Sequence, residues 1–282
     1  MSAIAPPVRL ESADQQPSGW EAQLNCTFQK GPERTIVRRN HVGPLSIQRP
    51  YYPEAETAHV YMLHPPGGVV AGDTLAVNIQ CESGSAALMS TPGATKFYRS
   101  ESRPAIVEQT INSSQASLEW LPQENIFFNG CNAGIKTNIV IDEQSSLAWW
   151  EINCFGRNSG NAPFSKGTVQ NSLQLHVNST LVLKERLLVN EQHNIQAYTG
   201  LRGFSVSGML LLTPLPAETI SFARNRLNGL AGFSTTCFDN ILMVRYLGNS
   251  SEEAKNGFIT IWSGLRSILN GNEPHMPRIW ST

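Results

Sequence analysis

The stretch WEAQLNCTF at residues 20–28 decides the fold class, because its apolar and polar residues alternate. Successive side chains of a β-strand point to opposite faces, so this alternation predicts a strand with one buried and one solvent-facing side. Many short strands separated by Gly, Pro and Asn turns indicate an all-β body. Other segments with this alternation, or with a short apolar run, lie at 60–63, 75–81, 135–141, 169–177, 181–183 and 209–212.

One segment changes period near the C-terminus. Apolar residues recur every three or four positions from Ala254 to Leu269, which is typical of an amphipathic α-helix. Ser250 and Glu253 have the spacing of a capping box, and Gly271 stops the pattern. The sequence therefore predicts a helix at about 251–270. A weaker pattern predicts a second helix at 217–227.

Composition excludes several classes of protein. The chain has 282 residues, 40% of them hydrophobic and 15% charged, with a net charge of −1, so a sizeable core is expected and a broad nucleic-acid surface is not. No apolar stretch is long enough to span a membrane. Residues 1–18 are rich in Pro, Ser and Gln and lack the apolar region of a signal peptide, so we expect a disordered tail and a cytoplasmic protein. Residues 19–282 contain no linker, which predicts a single domain.

Common catalytic and metal motifs are missing from the sequence. The five cysteines form no CxxC pair, which argues against disulfides and structural zinc. The chain has no phosphate-binding loop and no HExxH, and the stretch 203–208 has the wrong spacing for a nucleophile elbow. His59 and His64 are five residues apart, which in a strand puts them on opposite faces and makes them a poor metal pair.

Two glycine- and proline-rich stretches are unusual. HPPGGVVAGD at 64–73 fits a tight turn in which Asp73 caps backbone N–H groups. Alternatively, Asp73 and Glu54 present oxygens to a cation or a partner. The stretch STPGATKFYR at 90–99 is either a turn feeding a strand or an exposed recognition loop with Lys96, Tyr98 and Arg99 at its tip.

These stretches belong to an ordered set of motifs that resembles the UreD family, also called UreH, over residues 20–282. Relatives usually carry a Gly-Glu pair after the Gly-Arg motif, whereas Asn161 follows Gly160 here, so no site is expected at that point. The matching motifs are Gly43–Leu45, Gln48–Pro50, Tyr52–Glu54, His64–Asp73, Thr91–Tyr98, Glu119–Glu124, Gly156–Arg157 and Pro277–Trp280.

The resemblance implies a fold and a role. UreD-like proteins are β-helical, are not enzymes, and bind apo-urease together with UreF and the GTPase UreG, in a symmetric assembly with two copies of each accessory protein. That assembly inserts nickel, and an internal tunnel in UreD is the expected route. The resemblance thus implies no tightly bound cofactor, with Ni²⁺ only in transit.

Particular residues are predicted for this role. Glu54 and Asp73 are expected to line or gate the nickel path, because transit needs weak, multiple oxygen contacts. Glu185 is a weaker addition, with a local ion pair as the alternative.

The helix at 251–270 and the tail after it are expected to dock a partner. Trp262, Arg278 and Trp280 are the proposed contacts, since Trp is enriched at interface hot spots. The alternative is that Trp262 packs the helix onto the sheet.

Two other interpretations remain open at this level. A β-helix enzyme acting on carbohydrates would use paired carboxylates, for which Glu119 with Glu124, or Glu54 with Asp73, are the available pairs. A plain interaction protein without a metal role would show mutant effects on assembly alone.

Overall fold

The computed structural model describes residues 19–100, 103–157, 162–193 and 195–281. It is 51% strand and 12% helical, which confirms the predicted all-β body. The predicted disordered tail lies outside the described residues, as does the departure from the family pattern at Gly160. The single-domain organisation stays a prediction.

The described residues form the following strands, which accommodate all the alternating and apolar segments identified in the sequence. They are β1 (Glu21–Lys30), β2 (Thr35–Val42), β3 (Ser46–Ile47), β4 (Tyr51–Glu54), β5 (Thr57–Leu63), β6 (Thr74–Cys81), β7 (Ala86–Ser90), β8 (Thr95–Phe97), β9 (Ala105–Ser113), β10 (Ser117–Trp120), β11 (Asn125–Phe127), β12 (Asn132–Ile141), β13 (Ser146–Arg157), β14 (Ala162–Pro163), β15 (Thr168–Val177), β16 (Thr180–Val189), β17 (Val206–Thr213), β18 (Phe233–Phe238) and β19 (Ile241–Gly248).

These strands build two sheets. The seven-stranded sheet has the order β16-β15-β12-β9-β6-β1-β2. The twelve-stranded sheet follows β18-β19-β17-β13-β10-β7-β5-β3, with four short strands beside this path. Antiparallel pairs close the ends, such as β15 with β16 and β17 with β19.

The middle of the chain winds as a coil. From β5 to β15 it alternates between the sheets, and it adds β6, β9, β12 and β15 to one sheet as parallel neighbours. β5, β7, β10 and β13 do the same in the other sheet. Stacked coils of this kind are the β-helix arrangement, as the family resemblance implied. Phe127 shows the stacking directly, with its ring 4.7 Å from that of Phe97 and 5.5 Å from that of Phe155.

The hydrophobic core has two parts, separated by the twelve-stranded sheet. One lies between the sheets and includes Leu24, Ile79 and Trp149. The other lies between that sheet and the helices and includes Trp150 and Phe258. Trp149 and Trp150 are neighbours in β13 but belong to different parts, because adjacent side chains of a strand point to opposite faces.

Two α-helices lie where the sequence predicts them, α1 at Thr219–Arg226 and α2 at Ser251–Asn270, followed by a 3₁₀ turn at Arg278–Ser281. The Ser250 hydroxyl accepts a hydrogen bond from the Glu253 N–H at 3.1 Å, as the capping box predicts. The second bond of the capping box, from the Ser250 N–H to the Glu253 carboxylate, is bridged by the Tyr246 hydroxyl. This hydroxyl donates to the Glu253 carboxylate at 2.9 Å and accepts from the Ser250 N–H at 3.4 Å.

Candidate functional site

A cavity of about 1090 Å³ lies between the two sheets. Strands β15 and β16 line it from one side, and β13, β17 and β19 line it from the other. Tyr198 also contributes and is 87% exposed, so the cavity reaches the surface. Carboxylates that line it include Glu151, Glu185 and Glu253.

Glu151 lies on the inner face of β13. Its Oε1 accepts hydrogen bonds from the side-chain amides of Asn153, at 2.7 Å, and Asn171, at 3.5 Å. Burial raises the pKa of Glu151, and the two amides oppose that shift only in part. Sequence reasoning missed this residue, although a lone acidic residue in the apolar run 147–155 was an available signal. Glu151 therefore presents a carboxyl group to the cavity, with two side-chain amides as its hydrogen-bond partners.

Trp149 adds a donor to the same wall. Its side chain is buried, and its indole N–H has no hydrogen-bond partner among the described residues. A buried donor without an acceptor is costly, so this position suits a water molecule that accepts the hydrogen bond.

Glu185 lies on β16 at the opposite wall of the cavity. It forms an ion pair with Arg245 of β19, which joins the two sheets. Glu185 therefore pairs with a residue far away in the sequence and not with its neighbours Lys184 or Arg186. Of the three carboxylates predicted for the nickel path, Glu185 is the one that lines this cavity.

Glu54 belongs to a buried ion cluster on the other face of the twelve-stranded sheet. Arg266 of α2 is 0% exposed and donates to both Glu54 and Glu119. Glu54 also bonds to the imidazole Nε2 of His59. Burial alone would raise the pKa of Glu54, but the hydrogen bonds from His59 and Arg266 outweigh it and lower the pKa to about 2.

Glu119 completes this cluster. Beyond Arg266, it accepts from the Trp262 indole at 2.5 Å and from the Asn270 amide at 3.2 Å. The carboxylate oxygens of Glu54 and Glu119 accept hydrogen bonds from the protein, and those from α2 hold this helix on the sheet. The transit role of Glu54 stays a prediction.

Asp73 closes the glycine-rich turn. Its two carboxylate oxygens accept from the backbone N–H of Trp20 at 2.8 Å and of Val70 at 2.9 Å. This is the capping arrangement that the sequence allowed as one of two interpretations. Asp73 is 5% exposed and lies outside the cavity lining, so its predicted part in the metal path also stays a prediction.

The predicted docking residues divide by exposure. Trp262 is 0% exposed and packs inside the fold, whereas Arg278 is exposed. Trp280 is half-buried, with ring centres 5.1 Å from Trp150 and 5.5 Å from Trp262, and its indole donates to the Ser90 hydroxyl at 3.2 Å. The tail therefore lies against its own chain.

The second predicted recognition loop is partly open to a partner. Tyr98 is 41% exposed and stacks on Phe128 at 5.2 Å, and Lys96 is half-buried. The structure does not bring this loop together with the tail in any described contact. The docking roles of both regions stay predictions.

Dense metal sites and membrane-spanning helices are both missing from the described residues. No three side chains of His, Cys, Asp and Glu converge where they would hold a metal ion. No helix in the described ranges has the length and apolar character needed to cross a membrane.

Comparison with known proteins identifies the family. The family model described as "UreD urease accessory protein" matches residues 20–281. Proteins named urease accessory protein UreD are similar to the chain: one from Aliivibrio fischeri strain MJ11 is 38% identical over 94% of this chain and 97% of its own length. Another from Klebsiella aerogenes is 39% identical with the same two coverages. The chain therefore belongs to the UreD family of urease accessory proteins, so it serves urease maturation and is not an enzyme in its own right.

Proposed function

We propose that the chain is a cytoplasmic scaffold that joins UreF and UreG on apo-urease and conducts Ni²⁺ through its inter-sheet cavity. Nickel is cargo, with no tightly bound cofactor. The working assembly is a dimer of UreD–UreF–UreG units. The observation that carries the transit step is the cavity between the sheets, with carboxylates on both of its walls.

The chemistry of this lining supports transit rather than storage. Ni²⁺ accepts carboxylate, carbonyl, imidazole and water ligands. A site with many closely spaced ligands would retain the ion, whereas separated weak contacts let it move on. Glu151 on one wall and Glu185 on the other are single carboxylates, each with neutral or cationic neighbours. Ni²⁺ would compete with the Arg245 guanidinium for Glu185, which keeps that contact weak.

The residues of this path are tested by amide substitution. Glu151→Gln combined with Glu185→Gln should lower nickel loading of urease, measured as bound nickel per active site, while co-purification with UreF and UreG stays normal. Glu108→Gln is the matched control, since Glu108 is 46% exposed in a surface ion pair with Lys136. Full nickel loading by the double variant would remove the cavity carboxylates from the mechanism.

The predicted path through Glu54 and Asp73 is tested in the same assay. Both have their oxygens engaged by protein donors, so their amide variants should act mainly on folding. A variant pair that assembles normally, folds normally and still fails to load nickel would assign them to the path instead. An effect confined to assembly would favour an interaction protein without a metal role.

The maturation role is tested at the level of the cell. Host cells without this polypeptide should make urease that is inactive and nickel-free at limiting nickel. Removal of residues 271–282, followed by measurement of UreF affinity, tests the docking role of the tail. Normal metallation of urease in the deletion strain would contradict the proposal as a whole.

A further inference from the structure

His59 is a buried histidine, and one of its two ring nitrogens has no hydrogen-bond partner among the described residues. Its side chain is 0% exposed and its Nε2 bonds to Glu54. Its Nδ1 is buried without a hydrogen-bond partner in the part of the chain that the structure describes. A polar atom in this position requires an explanation, because buried nitrogens are nearly always paired.

The Glu54 bond determines which nitrogen carries the proton. Glu54 also accepts hydrogen bonds from the Arg266 guanidinium, so its carboxylate acts as an acceptor and the His59 Nε2 donates. A second proton on Nδ1 would leave a buried N–H with no acceptor. The favoured form therefore has a lone pair on Nδ1. An imidazole that donates one N–H to a carboxylate and presents the other nitrogen is the usual arrangement of a metal-bound histidine.

A second histidine faces this ring. His275 of the C-terminal tail is half-buried, with its ring centre 5.7 Å from that of His59 and the two planes at 87°. With metal–nitrogen bonds of about 2.1 Å, two imidazoles on one ion have ring centres roughly 4.5–5.5 Å apart. The observed separation is within a few tenths of an ångström of that range.

The position of His275 is fixed by the surrounding chain. The Arg266 guanidinium donates to the backbone carbonyl of Glu273, two residues before His275. Pro277, two residues after it, is buried. Both flanks thus hold the imidazole beside β5, on the side of the twelve-stranded sheet that faces α2.

We propose that His59 and His275 form a binding site for one divalent transition-metal ion of the kind that prefers imidazole, with water in the remaining positions. Within the described residues this site has two protein ligands, fewer than the three that a tightly held metal ion usually has. Nickel and cobalt fit this donor set, whereas magnesium and calcium prefer oxygen. Binding there would fasten the tail to the body.

The site is separate from the cavity. His59 lies with Glu54 and Arg266 on the α2 side of the twelve-stranded sheet, whereas Glu151 lies between the sheets. The inference therefore does not depend on transit through the cavity. A variant can lose metal binding by the isolated chain and still activate urease. Another variant can bind the metal and fail to activate urease.

The test is titration of the full-length chain with Co²⁺, followed by its visible absorption bands, and equilibrium dialysis with Ni²⁺. His275→Ala is the main variant, because His275 is partly exposed and outside the ion cluster. We expect the Kd for the metal to rise at least tenfold and the visible absorption bands of Co²⁺ bound to imidazole nitrogen to disappear. Loss of a residue that only hydrogen-bonds to a metal ligand already lowers metal affinity about 10- to 100-fold. His193→Ala is the control, because His193 is exposed in a distant loop.

A thermal measurement gives an independent readout. Saturating Ni²⁺ should raise the Tm of the wild-type chain and of His193→Ala, but not that of His275→Ala, because an ion stabilises only the state that binds it. His59→Gln should match His275→Ala; if it does not fold, His275→Ala decides alone. The proposal would be overturned if His275→Ala bound Ni²⁺ as tightly as wild type. It would also be overturned if His193→Ala lost as much Ni²⁺ affinity as His275→Ala.

Discussion

At the residue scale, two half-buried carboxylates have pKa values shifted in opposite directions. Glu54 is surrounded by cationic and N–H donors that lower its pKa to about 2, and Glu151 is in a neutral pocket that raises its pKa. Burial raises both pKa values, but only at Glu54 do the hydrogen-bond and charge partners outweigh it. The two groups consequently have opposite effects on the pH dependence of stability.

Glu54 should stabilise the fold at neutral pH. Its folded pKa lies below the ordinary value of 4.5, so its contribution is present above that pH and is lost as pH falls toward 2. Glu54→Gln leaves Arg266 with one carboxylate and should cost about 3 kcal/mol at pH 7, by urea unfolding. The difference from wild type should shrink as pH approaches 2. A pH-independent difference would mean that lost packing, and not charge, is responsible.

Glu151 should behave in the opposite way. A raised folded pKa means that ionisation disfavours the fold, so stability is lost as pH rises through the folded pKa. Glu151→Gln keeps an acceptor for both Asn amides and removes the charge. Its Tm should exceed that of wild type at pH 8 and match it at pH 4. Parallel Tm curves across this range would show that the carboxylate is not destabilised by its surroundings.

At the element scale, α2 connects the cap, the ion cluster and the aromatic tail. Its apolar stripe packs on the twelve-stranded sheet, and Arg266 reaches through that stripe to Glu54 and Glu119. The helix begins at Ser250 with a side-chain cap and ends at Gly271, which has a φ of 79°. That left-handed conformation suits glycine, so both ends are fixed by local residues.

The N-terminal cap of α2 should contribute measurably to the free energy of unfolding. Ser250→Ala removes the acceptor for the Glu253 N–H and should destabilise the fold by about 1 kcal/mol in urea unfolding. Ser267→Ala, at an exposed position inside the same helix, should be neutral or slightly stabilising because Ala has the higher helix propensity. Equal effects of the two substitutions would show that the cap bond is not the cause.

The tail should stabilise α2 as well as any partner contact. Trp280→Ala removes a half-buried ring from Trp150 and Trp262 and should cost roughly 2 kcal/mol, less than a fully buried Trp. Met276→Ala is the control, since Met276 is 43% exposed. Weaker UreF binding by Trp280→Ala at unchanged stability would instead favour the predicted docking role.

At the scale of the whole molecule, the antiparallel end strands leave space between the sheets. The cavity lies where β16 and β19 face each other, and the Glu185–Arg245 ion pair is a described link across it. The coiled middle is filled by stacked rings such as Phe97 and Phe127. This cavity has a defined lining at one end of the fold, so its role can be tested by filling it.

Filling the cavity should block nickel without harming assembly. Ser207 lines it from β17, and Ser207→Phe adds a ring to that space. We expect reduced nickel loading of urease with normal recovery of the accessory complex. Ser83→Phe, at an exposed turn, should load normally. Normal loading by Ser207→Phe would place the route of the ion elsewhere.

Local structure followed from the amino-acid pattern alone. Alternation in residues 20–28 and the three-to-four spacing after Ala254 predicted β1 and α2, because these periodicities depend only on where neighbouring side chains point. The ordered motifs likewise indicated the family. The turn role of Asp73 also followed from the sequence, since one of the two N–H groups that it caps belongs to Val70, three residues away.

Long-range packing determines which carboxylates line the cavity and which stabilise the fold, so these roles could not be predicted from the sequence. Glu54 and Arg266 are 212 residues apart in sequence, and Glu185 and Arg245 are 60 apart. No local pattern encodes such pairs, because strand order and the facing of two sheets are set by burial over the whole chain. The same long-range packing put Glu151 inside and Trp280 against its own fold.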